Sequence, residues 1–255
     1  MEKEEVISDP NCDTVYRLPL MFDNQHVDRR IAESMDLPDR KSELGEWHRK
    51  VENIGSDSIA NVAICGKYTE MDDSYASIEE ALKHSAAEIG GSIDIEYISS
   101  EHFQPEDLDR FDGVIIPGGF GARGVPGKIE VAQYCRENNV PMLGLCYGMQ
   151  LMVTEFSRNV LDINAYSEEF IDDIELEGCP GEKKAVISEM PSQKDLEEMG
   201  GTMRLGAYTA EIENRVAEIY GGSEATERHR HRYEVDPEYH QDLESNGLKI
   251  TGLNK

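Results

Sequence analysis

A lone cysteine between two glycines, in the run GLCYGMQ (Gly144–Gln150), is the clearest candidate for chemistry. It falls where a short apolar run, Met142–Leu145, gives way to a helical pattern of Met149, Met152, Val153, Phe156 and Val160. A strand that turns sharply into a helix lifts the turn residue out of the sheet, and its neighbours must then be small. Gly144 and Gly148 meet that demand around Cys146. The positive end of the following helix should lower the thiol pKa and favour the nucleophilic thiolate. A buried cysteine packed between glycines is the plainer alternative, which the strand-to-helix context disfavours.

Two further segments gain meaning beside this elbow. Pro117–Gly124 (PGGFGARG) follows the apolar stretch FDGVII, and glycines at a strand's carboxyl end let backbone N–H groups approach a ligand closely. Such a loop can give one oxyanion donor while the N–H of Tyr147 gives another. An ordinary glycine-rich turn has the same composition. It is not a phosphate-binding P-loop, because G-x-x-x-x-G-K-[ST] occurs nowhere. In ERHRHRYE (Glu227–Glu234), alternation puts Arg228, Arg230 and Arg232 on one strand face and His229 and His231 on the other. An arginine there can grip a carboxylate through paired N–H bonds. A charged strand paired with nearby Asp and Glu is the alternative, and two histidines fall short of a metal site.

The elements that position these residues follow from periodicity. IANVAIC (59–65) reads as a buried strand, SIEEALKHSAAEIGG (77–91) as a helix closed by glycines, and IDIEYI and FDGVIIP as further strands. A helix from about Lys128 to Asn138 ends at Asn139 before Pro141; the strand MLGL and the Cys146 helix follow. This β-α-β-α order predicts a mostly parallel, Rossmann- or flavodoxin-like sheet with helices on both faces. Beyond Gly178 the pattern is β-rich: KKAVISEM, TMRLGAY, RHRHRYEV and LKIT. Residues 1–55 differ from the rest. Tyr16–Phe22 is an apolar stretch broken by Pro19, and two short amphipathic helices flank Pro38. Their apolar surface is too small to fold alone. The end at Lys255, just past a strand-like LKITGLN, predicts a truncated chain, since an uncovered strand leaves an open pairing edge.

Composition excludes several classes. The 255 residues carry 25 Lys and Arg against 52 Asp and Glu, a net charge of −27. Such a chain is repelled by phosphate backbones and anionic membranes. No apolar run approaches the ~20 residues of a membrane span, and the acidic start, MEKEEVISDP, lacks the apolar core of a signal peptide. The expectation is a soluble, cytoplasmic protein without nucleic-acid or membrane partners. Cys12, Cys65, Cys135, Cys146 and Cys179 are scattered, odd in number and without C-x-x-C spacing, so neither a disulfide framework nor a zinc site is expected. The excess of carboxylates suggests adaptation to a salt-rich cytoplasm, where screening removes self-repulsion.

Taken together, GKYTEMDDSYASIEEALKH, IIPGGFGARG, LGLCYGMQ, EMGGTMRLGAY and ERHRHRYEV resemble segments of the CTP synthase family, in its class I glutamine amidotransferase half. The resemblance implies that Cys146 attacks the side-chain amide of glutamine and forms a γ-glutamyl thioester. Gly119 and Tyr147 match the backbone oxyanion donors. Phe120, Gln150, Glu169 and Arg232 match glutamine-binding positions, with Glu169 suited to the substrate ammonium and Arg232 to its carboxylate. Released ammonia would aminate ATP-activated UTP to CTP in a synthetase domain. The resemblance makes residues 1–55 the tail of that domain with its linker, and 56–255 the amidotransferase domain. ATP, magnesium, the activator GTP and a homotetramer are implied for the full-length enzyme; no cofactor or metal is expected on this chain. Arg204 is a weaker candidate contact for GTP.

Departures from the family matter as well. Its catalytic His and Glu lie in a Phe-His-Pro-Glu segment that does not occur before Lys255, so the closing strands and helix are expected to be missing and the chain inactive alone. Tyr147 replaces the commoner Leu, a change of small consequence if only its N–H is used. Ala76 stands where many relatives have Lys, which bears on the GTP response. Two rival readings remain: another cysteine hydrolase of this fold, with His229 or His231 as base, and a non-catalytic assembly or regulatory protein.

Overall fold

The computed structural model describes residues 6–38, 41–69, 73–170, 181–190 and 204–254. Cys179 and the EMGGTM part of the EMGGTMRLGAY segment lie outside the described residues. The chain divides into two units, Met1–Asn61 with Tyr75–Asp94, and Val62–Ser74 with Ile95–Lys255.

In the first unit a 3-10 turn, Val15–Arg17, opens on the Thr14 hydroxyl and runs into α1 (Leu18–Asn24). Pro19 does not break this stretch. It occupies the first helical turn, where its missing N–H forfeits no bond. The helices α2 (Val27–Ser34) and α3 (Gly45–Ile54) are the expected amphipathic pair. Too short to persist alone, α3 packs on α4 (Ala76–Ile89), where Val51, Ala86 and Ala87 are buried. Asn53 Nδ2 donates to the Ala87 carbonyl at 2.8 Å, and Trp47 Nε1 to that of Tyr16 at 2.8 Å. Gly90 closes α4 at φ 107°, a conformation open to glycine at no steric cost.

The strands β1 (Ser58–Gly66), β2 (Ser92–Ser99), β3 (Gly113–Ile116) and β4 (Met142–Gly144) form a four-stranded sheet in the order β2-β1-β3-β4. The pairs β1–β3 and β3–β4 are parallel, as crossover helices require. The crossover from β3 to β4 is α5 (Val125–Asn138), which starts earlier than expected because Pro126 fits its first turn; α6 (Tyr147–Asn159) follows β4 and leads to the next sheet. In the second unit, Ala63, Cys65, Val114 and Ile116 of the sheet meet Val131, Ala132 and Cys135 of α5 in one buried cluster. The flanking helices and the parallel order give the expected α/β class.

The remainder comprises β5 (Ala165–Ser167), β6 (Lys184–Glu189), β7 (Arg204–Ile212), α7 (Asn214–Tyr220), β8 (Glu224–His231), β9 (Tyr233–Val235), α8 (His240–Ser245) and β10 (Gly252–Leu253). They make two three-stranded sheets, β5-β6-β9 and β10-β7-β8. RHRHRYEV, expected as one strand, is two. At Arg232 the backbone changes sheets, its carbonyl accepting the Met190 N–H at 3.1 Å. LKIT is not a strand either. The Leu248 N–H is spent on the Leu243 carbonyl at 3.0 Å, closing α8, and pairing resumes only at Gly252. No helix among the described residues is long and apolar enough to cross a membrane.

Candidate active site

The ladder between β3 and β4 continues into the Leu145 N–H, which donates to the Ile116 carbonyl at 2.9 Å. The next residue, Cys146, adopts φ 52° and ψ −108°, and α6 begins immediately after it. Positive φ at a residue with a side chain costs of order 1–3 kcal/mol and persists only where the surroundings enforce it. They do so here by close approach. A Cβ on Gly148 would lie 1.9 Å from the Ile116 carbonyl oxygen, and one on Gly144 would lie 2.5 Å from the Met149 nitrogen. The pair of small residues is therefore a steric requirement of the turn.

Cys65 and Cys135 are buried, and loss of water pushes their thiols up to about 12 and about 11. Cys146 is exposed, with its S–H directed at the Arg230 carbonyl, 3.7 Å away. Its pKa is raised, contrary to the helix-terminus expectation. Desolvation by the surrounding walls is the largest cause; the Tyr147 N–H pulls the other way, and the Glu169 carboxylate adds to the rise. The helix end thus supplies one donor, which is too little to offset the water displaced.

The glycine loop passes directly beside this cysteine: a Cβ on Gly118 would be 3.5 Å from the Cys146 Cβ. Among the described residues nothing accepts the Gly119 N–H. Side-chain contacts hold the middle of the loop. The Tyr147 hydroxyl donates to the Gly121 carbonyl at 2.9 Å, the Gly121 N–H donates to Glu169 Oε1 at 2.9 Å, and Lys67 Nζ donates to the Phe120 carbonyl at 2.7 Å. The phenol of Tyr147 therefore has a structural part that its backbone role alone does not suggest. The Phe120 ring is 68% exposed, with Lys67 Nζ 4.7 Å from its centre.

Gln150 lies buried on α6 and donates from Nε2 to the Tyr233 carbonyl at 2.9 Å, pinning β9 beside the elbow. Arg232, at the switch between β8 and β9, is buried with Nη1 3.7 Å from Glu189 Oε1. Burial is the largest cause of the raised Cys146, Tyr147 and Tyr233 pKa values, and the nearby Glu169 carboxylate adds to each. The two histidines share a face, as alternation requires, and bond each other at 2.9 Å, His231 Nδ1 also lying 3.0 Å from the Tyr233 carbonyl. Neither ring bonds the Cys146 sulfur. Arg204 stacks on Tyr208, 4.3 Å from its ring centre. Among the described residues, no group of His, Cys, Asp and Glu is arranged to hold a metal ion. Sequence periodicity gave no sign of Lys128, a fully buried lysine under the glycine loop; its single cue is a cation at the fourth position of a helix whose buried face is otherwise apolar.

A glutamine amidotransferase class-I family model matches residues 70–255. CTP synthase of Haloarcula hispanica is 42% identical over 260 residues, spanning 98% of this chain and 45% of that protein. CTP synthase of Methanococcus maripaludis is 41% identical over 267 residues, spanning 100% of this chain and 49% of that protein. The chain thus covers about half the length of the curated relatives it matches. Among solved structures, the CTPS glutaminase domain of Trypanosoma brucei with bound acivicin superposes with a TM-score of 0.67 at 36% identity, covering 76% of this chain and 75% of that one.

Proposed function

Because this chain belongs to the class I glutamine amidotransferases, in their CTP synthase branch, we propose that Cys146 takes the γ-glutamyl group of glutamine and releases ammonia. The observation that carries this reading is the positive-φ cysteine at the end of a parallel strand, beside a glycine loop whose Gly119 N–H finds no acceptor among the described residues. The thiolate attacks the carboxamide carbon. The resulting oxyanion is met by the N–H groups of Gly119 and Tyr147; once the amide nitrogen has taken a proton, which in this chain comes from solvent, collapse breaks the C–N bond and expels ammonia to leave a thioester. Glu169 has one oxygen engaged by Gly121, and its charge suits the substrate ammonium. Arg232 suits the substrate carboxylate, Phe120 walls the pocket, and Gln150 orients the Arg232–Tyr233 segment from below. Substrate ammonium at Glu169 would also cancel part of the charge that holds the Cys146 thiol up.

In the whole enzyme the ammonia aminates UTP that ATP and magnesium have activated, giving CTP; GTP acts as activator, with Arg204 a candidate contact, and the assembly is a homotetramer in the cytoplasm. Residues 1–55 continue the synthetase part, and no residue of this chain is assigned to ATP or magnesium. The departing ammonia needs a proton and the thioester needs a base. Among the described residues no imidazole bonds Cys146, so both proton transfers fall to solvent and this chain alone is expected to acylate slowly and to turn over little. The same fact weighs against a hydrolase that uses His229 or His231.

A glutamine-mimicking chloroketone tests the reading. Intact-mass analysis should show one adduct, located at Cys146 by peptide mapping, suppressed by glutamine and absent in Cys146→Ala. Labelling spread over several cysteines and indifferent to glutamine would overturn it.

A further inference from the structure

Behind the glycine loop sits a buried ammonium that the chemistry above does not use. Lys128 lies in the opening turns of α5, after Pro126 and Gly127, and is 2% exposed. Among the described residues no carboxylate, carbonyl or hydroxyl accepts from its Nζ, although the chain carries 52 acidic residues. The titratable groups facing it are few. From the end of β1 come Cys65 and, just past it, Lys67, whose like charge repels; from α6 comes Tyr147, its ring centre 5.8 Å from Nζ. The loop itself forms the remaining wall: a Cβ on Gly119 would be 3.9 Å from Nζ.

Burying an unpaired cation is costly. Burial, with a smaller push from Lys67, lowers the Lys128 pKa to about 8. A methionine would fill the same space without that cost. The expense is accounted for if negative charge appears intermittently on the other side of the wall, which is where the Gly119 and Tyr147 N–H groups meet the oxyanion.

We propose that Lys128 is a positioning residue for the oxyanion site, its ammonium lying behind Gly119 and Tyr147 and supplying the positive potential that stabilises negative charge in front of them. It bonds no substrate atom and acts through the two peptides and the field. This rests on the reading of Cys146 as the acyl acceptor.

The test uses the full chain and two electrophiles. The chloroketone passes through an oxyanion at its carbonyl; iodoacetamide needs the thiolate alone, and Lys128 is not among the groups that shift the Cys146 thiol. Lys128→Met should slow chloroketone capture by ~10-fold or more while leaving the iodoacetamide rate at Cys146 unchanged. The gap should narrow as pH rises through about 8, where the wild-type lysine loses its charge. Lys128→Arg, which keeps the charge, should retain most of the chloroketone rate. Equal chloroketone rates for wild type and Lys128→Met would overturn the proposal, as would an Arg variant as slow as the Met variant. A parallel loss with both reagents, marking a merely disturbed fold, would overturn it too. Failure of the wild type to be labelled at Cys146 by the chloroketone is a separate result, which removes the function itself.

Discussion

The hydroxyl of Tyr147 donates to the carbonyl of Gly121 across 2.9 Å, so the residue that follows the nucleophile also holds the loop facing it. One amino acid thereby sets both sides of the gap in which charge develops, its backbone on one side and its phenol on the other. Removing the hydroxyl in Tyr147→Phe leaves the Gly121 carbonyl without this donor. A buried neutral bond is worth about 1 kcal/mol, so chloroketone capture at Cys146 should fall by up to about fivefold with little change in melting temperature. An unchanged rate would show that Glu169 and Lys67 suffice to hold the loop.

The elbow makes a stability prediction with opposite signs at neighbouring positions. Gly148→Ala drives a methyl into the Ile116 carbonyl and should cost ~3 kcal/mol, lowering the thermal midpoint by several degrees. Cys146→Gly relieves the positive φ and should be more stable than Cys146→Ala by about 1 kcal/mol. Thermal denaturation of the variants checks both, and an Ala variant as stable as the Gly variant would show that the turn carries no strain.

Glu169 should separate two kinds of reactivity. Its carboxylate contributes to the raised Cys146 pKa. Glu169→Gln removes that charge while keeping an acceptor for the Gly121 N–H. The thiol pKa should then fall, giving more thiolate below it and a roughly two- to tenfold faster reaction with iodoacetamide near neutral pH. Capture of the glutamine mimic should slow, because its ammonium loses a partner. Rate–pH curves for the two reagents must diverge in this way; parallel changes would remove Glu169 from the site.

The charge of −27 gives a prediction of a different kind. Self-repulsion between exposed carboxylates is screened over about 3 Å in molar salt. The thermal midpoint should rise by several degrees from dilute buffer to molar KCl. Equal midpoints in the two media would remove the suggested adaptation to a salt-rich interior.

What the sequence revealed and hid has physical causes. The elbow was legible because steric demand is local: two glycines, a cysteine and a change of period lie within seven residues. The parallel sheet was legible because alternating strands and helices leave few topologies. The thiol pKa was misjudged because the helix end is a neighbour in sequence, whereas the desolvating wall includes Arg230, 84 residues away. The break at Arg232 was invisible because RHRHRYEV alternates without interruption, and only the demand of the Met190 N–H divides it. Lys128 and the phenol of Tyr147 were missed for a related reason: periodicity assigns faces, not what waits behind them.

The carbonyl that accepts the Cys146 S–H hydrogen bond lies 84 residues later in the chain. During synthesis on the ribosome the thiol therefore emerges well before that acceptor, and the strand-to-helix corner must form without it while β8 and β9 are still being translated.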